Sequence, residues 1–404
     1  MAEIKTDKLI YDWNEKLELS NFKGFVDETI RDGFQLIQLI DTNKETKKDI
    51  ISYMNNINLI SDVVVGMIGI SEKNDQDIGG LLNHIDTDKL TPWILCRLNL
   101  DDVKKVENYI PKGVGINLFI AISDIRLYVE NWDYETVLNN LVDIVKYCKR
   151  KFKYIRVAIE DSTRATEKKL IYAIQKLVEL EVDRLTIADT VGIATPTGVE
   201  NIFSAIHQAF PQFNSLKTKF EWHGHNDRGL AVASSLKSIE CGASYVHGTI
   251  LGIGERNGNA NIDILMCNLY DKFRDENWEI IKDYYSYCWE HFSSLLNYIY
   301  PYYGENSNKS STGTHCSAII KALKKGDKET AKKVFSISSP YLDNNLIDRM
   351  VLSRISGRNM MSYILESKGI NLNDSEKNKA FDYLKKNETL LSVDEFIQKI
   401  RAKN

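Results

Sequence analysis

Short apolar runs alternate with longer amphipathic segments over roughly the first 250 residues. The runs are mainly β-branched or aromatic, which is typical of buried strands. The segments between them repeat apolar residues at helical spacing. The predicted strands are Phe22–Asp27, Val63–Ile68, Pro92–Leu98, Val114–Ile120, Tyr154–Ile159, Arg184–Ala188, Lys219–Trp222 and Tyr245–Thr249. The predicted helices between them are Lys44–Ile57, Tyr134–Cys148, Ala165–Leu180, Pro196–Phe210 and Leu230–Cys241.

Strands that alternate with helices of this length predict a parallel sheet, because a parallel connection needs a crossover of that size. Eight strands within the usual size of a barrel domain favour a closed barrel over an open sheet. The sequence therefore predicts an α/β fold, a (β/α)₈ TIM barrel over residues 1–275.

The pattern changes after residue 275. Residues 276–300 predict one helix with an aromatic face, and Gly304–Gly313 is rich in Gly and Ser, as loops are. From Cys316 to Asn404 the chain reads as helical and rich in Lys and Leu. We therefore expect a helical accessory region over residues 276–404.

Composition excludes several classes of partner. The net charge is −4, so nothing in the overall balance predicts a nucleic-acid or membrane partner. No window approaches the roughly 20 apolar residues of a membrane span, and the N-terminus lacks the apolar core of a signal peptide. Six cysteines without C-x-x-C spacing suit reduced thiols. We expect a cytoplasmic protein.

Two histidines in HGHNDRGLA are the first candidates for chemistry. On a strand, His223 and His225 point to the same side, which is a common way to hold a divalent metal. Asp32, in TIRDGFQ after the first strand, is the candidate carboxylate ligand, and Gly33 allows a tight loop beside it. The alternative is a pair of hydrogen-bonded histidines at the barrel rim.

Four segments carry a resemblance to a known family. DETIRDGFQ, IADTVGIATP, HGHNDRGLA and LGIGERNGNA occur in this order over roughly residues 22–275. They resemble the signature segments of metal-dependent acyltransferase and lyase barrels. This superfamily includes 2-isopropylmalate, homocitrate and citramalate synthases and hydroxymethylglutaryl-CoA lyase. The resemblance implies the metal ligands Asp32, His223, His225 and Asn259.

The resemblance also implies a reaction and its residues. Acetyl-CoA would condense with a 2-oxo acid at a divalent metal (Mg²⁺, Mn²⁺ or Zn²⁺), which polarises the keto group. Arg31 and Glu160 would be catalytic, with Arg31 stabilising the developing negative charge. Gln35, Thr190 and Arg164 would hold the 2-oxo acid.

The accessory region separates synthase from lyase. Residues 311–315 (STGTH) and 340–342 (PYL) resemble segments that the synthases have and the barrel-only lyase lacks. His315 is therefore the candidate general base or proton relay, and Tyr341 is a second catalytic candidate. The resemblance also implies a homodimer in which the accessory region completes the partner's active site. A histidine after a Ser/Gly loop is otherwise a surface residue.

Several positions depart from the family pattern. Val64 stands for a glutamate, Arg126 for a histidine and Ala158 for a serine. Arg126 either binds a dicarboxylic 2-oxo acid through a bidentate pair or forms a salt bridge within the rim. LGIGERNG slightly favours 2-oxoglutarate. A carbon–carbon lyase and a non-catalytic metabolite-binding barrel remain the alternative functions.

Overall fold

The computed structural model describes residues 19–35, 44–273, 276–296, 309–336, 346–347, 349–386, 391 and 393–401. Eight parallel strands close into a barrel in which each strand pairs with the next and β8 pairs with β1. The predicted TIM barrel is confirmed. The strands are β1 Gly24–Asp27, β2 Ile60–Met67, β3 Thr91–Cys96, β4 Gly115–Ala121, β5 Ile155–Glu160, β6 Arg184–Asp189, β7 Lys219–Gly224 and β8 Tyr245–Gly248.

Ten described α-helices accompany the barrel. Each of the five predicted helices is present within three residues of its expected ends. The short helices α2, α3, α4 and α9 were not predicted. The ten are α1 Lys44–Met54, α2 Glu72–Leu81, α3 Leu100–Glu107, α4 Asp124–Glu130, α5 Tyr134–Cys148, α6 Glu167–Glu179, α7 Pro196–Ala209, α8 Ala231–Glu240, α9 Ile262–Asn268 and α10 Trp278–Phe292.

The accessory region forms a second hydrophobic cluster, which begins at Cys316 and also takes in Val129 of α4. Its described helices are α11 Gly313–Lys324, α12 Lys328–Lys333, α13 Arg358–Ser367, α14 Asp374–Lys386 and α15 Val393–Arg401. Helix α10 instead buries Tyr284 and Phe292 in the barrel's own cluster. A division after residue 296 follows these clusters more closely than the predicted one after residue 275.

The barrel interior contains a layer of paired charges. Arg156 Nε lies 2.8 Å from Glu221 Oε2, and both side chains are fully buried. Trp93 Nε1 donates to Asp62 Oδ1 at 2.5 Å, and Arg184 lies 3.6 Å from both carboxylates. Burial opposes the ionisation of Glu221, but Arg156 outweighs it and lowers the pKa of that carboxyl. This layer fills the barrel beneath its mouth.

None of the described helices is both long and apolar enough to cross a membrane. All six cysteines are free thiols, as their spacing predicted.

Candidate metal centre and the cavity beside it

The predicted ligands Asp32, His223 and His225 lie together, buried, at the carboxyl ends of β1 and β7. Asp32 Oδ2 is 3.8 Å from His223 Nε2 and 3.7 Å from His225 Nε2, and the two imidazole nitrogens are 3.3 Å apart. Asp32 is presented by a π-helical turn, Thr29–Gly33, directly after β1. Such turns are frequent at functional sites.

Both imidazoles are held in the neutral form that a metal requires. Burial lowers the pKa of His223 to about 4 and that of His225 to about 3. His225 Nδ1 lies 3.2 Å from the carbonyl of Gly258, and since a carbonyl can only accept, Nδ1 carries the proton. The lone pair of His225 is therefore on Nε2, the nitrogen that faces Asp32.

Asn259 lies next to this cluster, opposite His225 in an isolated bridge. Its Nδ2 donates to the carbonyl of Ile253 at 3.1 Å, which leaves Oδ1 as the atom for a ligand. Gly254 allows the close approach, because a Cβ there would collide with the Asn259 amide.

The chemistry of this set fits a divalent metal. Within the described chain, Asp32 Oδ2 and Asn259 Oδ1 are buried acceptors without a hydrogen bond of ordinary geometry. Ligand atoms bound at about 2.0–2.2 Å lie roughly 3–3.5 Å apart, close to the observed separations. Burial opposes the ionisation of Asp32, but Arg31 and the imidazoles outweigh it and lower the pKa of that carboxyl. An ionised carboxylate and two neutral imidazoles therefore converge, and the side chain of Asn259 lies beside Asp32.

Arg31 joins this cluster to a large cavity. Its Nε donates to Glu28 Oε2 at 2.8 Å and its Nη1 to Asp32 Oδ1 at 3.1 Å, so the guanidinium is fixed between two carboxylates. The same side chain lines a cavity of about 1070 Å³ between the barrel mouth and the accessory region. Arg31 therefore lies where the resemblance implied, between the predicted metal ligands and the space for a substrate whose negative charge it would stabilise.

Three other predicted residues line this cavity. Gln35 accepts from Thr312 Oγ1 at 3.1 Å. Arg126 is buried and lies 3.0 Å from Glu130 and 3.1 Å from Glu160. Of the two alternatives for Arg126, these contacts match the salt bridge within the rim.

Arg164 and Thr190 are not among the described residues that line the cavity. Arg164 pairs with Asp161 at 2.7 Å and donates to the carbonyls of Lys333 and Val334 at 2.6 and 2.7 Å. It therefore fastens the barrel to the accessory region, and in this arrangement its guanidinium is not directed at a substrate. Thr190 Oγ1 accepts from the backbone N–H of Asp161 at 2.8 Å.

His315 lies at the barrel mouth, at the start of α11. Its Nδ1 contacts Glu255 Oε1, and its ring stacks on Phe335 at a centroid distance of 3.9 Å. The barrel that it faces belongs to its own chain. The connection at 297–308 lies outside the described residues, so exchange of the accessory region with a partner stays a prediction. Tyr341 also lies outside them.

The sequence profile of the HMGL-like family matches residues 23–282, more than half of the chain. The chain belongs to the HMGL-like family. Among its relatives, a 2-isopropylmalate synthase of Geobacillus sp. (strain WCH70) is 31% identical over 369 residues, which are 88% of this chain and 68% of the relative. That of Bacillus cytotoxicus is 27% identical over 372 residues, 89% of this chain and 70% of the relative. The predicted resemblance to the 2-isopropylmalate synthase type is confirmed.

Solved structures support the fold of this HMGL-like chain. A hydroxymethylglutaryl-CoA lyase of Acinetobacter baumannii, in complex with coenzyme A and 3-methylmalate, matches with a TM-score of 0.57 and 18% identity. The match covers 68% of this chain and 93% of the lyase. The lyase of Brucella melitensis has a TM-score of 0.56 at 16% identity, covering 69% of this chain and 99% of that one.

The sequence predicted no role for two residues of this HMGL-like site, Glu255 and Glu28. Glu255 accepts from Ser310 Oγ at 3.0 Å and Thr312 Oγ1 at 2.9 Å in addition to its contact with His315. Its carboxylate therefore holds the start of α11 over the mouth. The residue stood inside LGIGERNGNA, but no local pattern relates it to a partner 60 residues away. Glu28, which fixes Arg31, was likewise visible only as part of a motif.

Among the departures from the family pattern, Val64 is fully buried in a small apolar cluster with Val26, Trp93, Leu95 and Tyr245. Its apolar side chain is therefore matched by apolar neighbours inside the barrel. The change at Ala158 has no structural explanation here.

Proposed function

We propose that this protein is an acyltransferase that condenses acetyl-CoA with a 2-oxo acid and releases free CoA. The observation that carries the proposal is that one barrel mouth combines a metal-type ligand set with a histidine supplied by the accessory region. Asp32, His223 and His225 form the set, and His315 lies on Glu255. The 2-isopropylmalate synthases that match most of the chain support the same reaction class.

A divalent metal held by Asp32, His223, His225 and Asn259 would supply Lewis-acid polarisation of the keto group. Arg31, fixed by Glu28 and always charged, stabilises the negative charge that develops on the keto oxygen. Such electrostatic stabilisation counts for more in a site that excludes water.

His315 serves as the base in this proposal. Glu255 holds its Nδ1, so Nε2 is the nitrogen that accepts a proton from the acetyl methyl group. The carbanion attacks the keto carbon, and water then cleaves the thioester to give the hydroxy acid and CoA. Glu255 stays ionised, because the nearby His315 and Arg256 outweigh its burial and lower the pKa of this carboxyl to about 2. It can therefore stabilise the imidazolium that forms.

The contacts of Arg126 bear on the choice of 2-oxo acid. Glu130 and Glu160 already offset its charge, which disfavours recruitment of a second substrate carboxylate. Nearby parts of the cavity wall are apolar and include Val65, Met67 and Phe119. We therefore propose a 2-oxo acid with an apolar side chain over 2-oxoglutarate.

Thiol release from acetyl-CoA, followed across a panel of 2-oxo acids with and without a chelator, tests the reaction. We expect CoA release that needs both a 2-oxo acid and a divalent metal, fastest with apolar side chains. Metal-dependent cleavage of a carbon–carbon bond in a hydroxyacyl-CoA, which gives acetyl-CoA and an oxo compound without free CoA, would instead identify a lyase. If the protein turns over neither acetyl-CoA with a 2-oxo acid nor a hydroxyacyl-CoA, only the alternative of a metabolite-binding protein remains.

A mixing experiment tests the proposed homodimer with exchanged accessory regions. His315→Ala and Asp32→Asn each inactivate a different half of the site. If the regions are exchanged, a mixed dimer has one intact site, and equal mixing after dissociation restores about a quarter of wild-type activity. If each chain completes its own site, as in the single chain, mixing restores nothing.

A further inference from the structure

The accessory region contributes a basic wall to the cavity, made of Arg354, Arg358 and Lys385. Among the described residues, no carboxylate lies within salt-bridge distance of these three side chains. Lys385 Nζ donates to the carbonyl of Arg354 at 2.7 Å, and Arg358 Nη1 contacts Asn378. Both contacts are to neutral groups, so three basic side chains line one cavity with no carboxylate of the described residues to offset them.

Three other cations of the cavity wall make a useful contrast. Arg97 pairs with Asp102 at 2.5 Å, and Lys321 pairs with Glu130. Arg126 contacts two carboxylates. These three charges are therefore offset by nearby carboxylates, whereas none of the described carboxylates offsets Arg354, Arg358 or Lys385.

Lys385 is also partly removed from water. Burial lowers the pKa of this lysine to about 8, so desolvation already disfavours its charged form. Burying an ammonium group without a counter-ion costs free energy, and an anion in the cavity would offset that cost. Phe381 supports the arrangement, because Arg358 lies 4.7 Å and Lys385 5.0 Å from its ring centroid.

The size of the cavity indicates a large ligand. At about 1070 Å³ it reaches the upper end of the range for drug-sized ligands, roughly 300–1,000 Å³, far above the needs of a 2-oxo acid. Apolar side chains, among them Ile78, Leu98 and Met360, line it together with Arg31 and the basic wall. A ligand with a reactive group, an apolar stem and an anionic head matches this lining.

We propose that Arg354, Arg358 and Lys385 bind the phosphate groups of acetyl-CoA. This inference rests on the proposed function, in which acetyl-CoA is the acyl donor. The accessory region then has two roles: His315 acts on the acetyl group and the basic wall holds the other end of the same substrate. Arginine and lysine are the side chains that bind phosphate through charge-assisted hydrogen bonds.

Calorimetric titration of the full-length protein with three probes tests the proposal. The probes are CoA, adenosine 3′,5′-bisphosphate, which has phosphates but no pantetheine, and pantetheine, which has no phosphate. Arg358→Ala and Lys385→Ala are each expected to raise the Kd of the first two probes about tenfold or more. Pantetheine should bind them and the wild type equally. Lys379→Ala, an exposed lysine of α14 outside the cavity lining, is the matched control and should change nothing.

Kinetics give a second readout. Both variants should raise KM for acetyl-CoA and leave KM for the 2-oxo acid and kcat at saturation unchanged. Arg358 is exposed, so its variant keeps the test valid if Lys385→Ala fails to fold. A Kd for CoA within twofold of wild type in folded Arg358→Ala and Lys385→Ala overturns the inference, even if CoA release stands. Phosphate-dependent binding without turnover would overturn the proposed reaction and leave this site intact.

Discussion

The barrel interior and the barrel mouth both bury ionisable side chains, but they satisfy them differently. In the interior, Arg156 lies against Glu221, and Asp62 accepts from Trp93. At the mouth, Asp32 Oδ2 and Asn259 Oδ1 are buried acceptors that take no ordinary hydrogen bond from the described residues. In the interior each of these carboxylates has a cation or a donor beside it, whereas at the mouth Asp32 Oδ2 faces the two imidazoles.

This difference separates the interior charges, which stabilise the fold, from the charges at the mouth, which can bind a ligand. Glu221 and Asp62 are offset by Arg156 and by the Trp93 donor, whereas only Oδ1 of Asp32 has a guanidinium beside it, that of Arg31. A buried carboxylate that faces two neutral imidazoles has acceptor capacity that a cation can use. Asp27 gives a third case: its Oδ2 also lacks a partner, but burial raises the pKa of this carboxyl to about 7, so a proton satisfies it.

The largest expected effect is on the interior pair. Arg156→Ala leaves Glu221 buried with less compensation and should lower the free energy of unfolding by about 3–5 kcal/mol. Urea denaturation measures it, with exposed Arg150→Ala as the control. If Arg156→Ala lowers the free energy of unfolding by less than about 1 kcal/mol, the pair of Arg156 and Glu221 does not stabilise the fold.

A substitution at His315 should change activity and not metal binding. His315→Ala removes the proposed base and should lower kcat for CoA release by about 100-fold or more. Metal binding, measured by titration, should stay at the wild-type level. Exposed His84→Ala is the control and should be fully active. A His315→Ala protein with wild-type kcat contradicts the assignment.

Metal binding should stabilise the wild type through the mouth alone. A divalent metal at about 100 times its Kd adds about 2.7 kcal/mol to the free energy of unfolding, because it binds only the folded state. Asp32→Asn should abolish this gain, and exposed Asp88→Asn should retain it. Thermal unfolding with and without metal measures both, and equal stabilisation of Asp32→Asn would place the metal elsewhere.

The last prediction concerns the pH dependence that Asp27 gives to the free energy of unfolding. Its pKa is raised from 3.8 to about 7 in the folded protein, so the folded state holds a proton that the unfolded state releases. Stability from this group is full below pH about 4 and falls as pH rises toward about 7, by about 1 kcal/mol per pH unit. Asp27→Asn should remove that slope in urea denaturation followed across this range. An unchanged slope would show that Asp27 is ionised throughout.

The barrel was predictable because its strands and its longer helices repeat a strong apolar pattern. Tyr134–Cys148 was predicted to the residue. Helix α2 was missed because ten mostly polar residues with two glycines bury only Ile78 and Leu81. Helix α4 has seven residues, too few for helical spacing to stand out.

The metal centre was predictable for a different reason. His223 and His225 stand at strand spacing, and Asp32 follows another strand of the same barrel, so local patterns placed all three at one rim. Arg164 shows the limit of such patterns. Its carbonyl partners at Lys333 and Val334 are about 170 residues away, and no local pattern relates an arginine to distant backbone oxygens.

The central claim is that the acceptors at the mouth hold a metal that the reaction needs. Metal-free protein titrated with Mn²⁺, with bound metal and CoA release measured on the same samples, tests it most directly. The account predicts that CoA release rises in proportion to bound metal and saturates at one metal per chain, and that Asp32→Asn stays at background. Full CoA release from metal-free protein, or from Asp32→Asn, would contradict it.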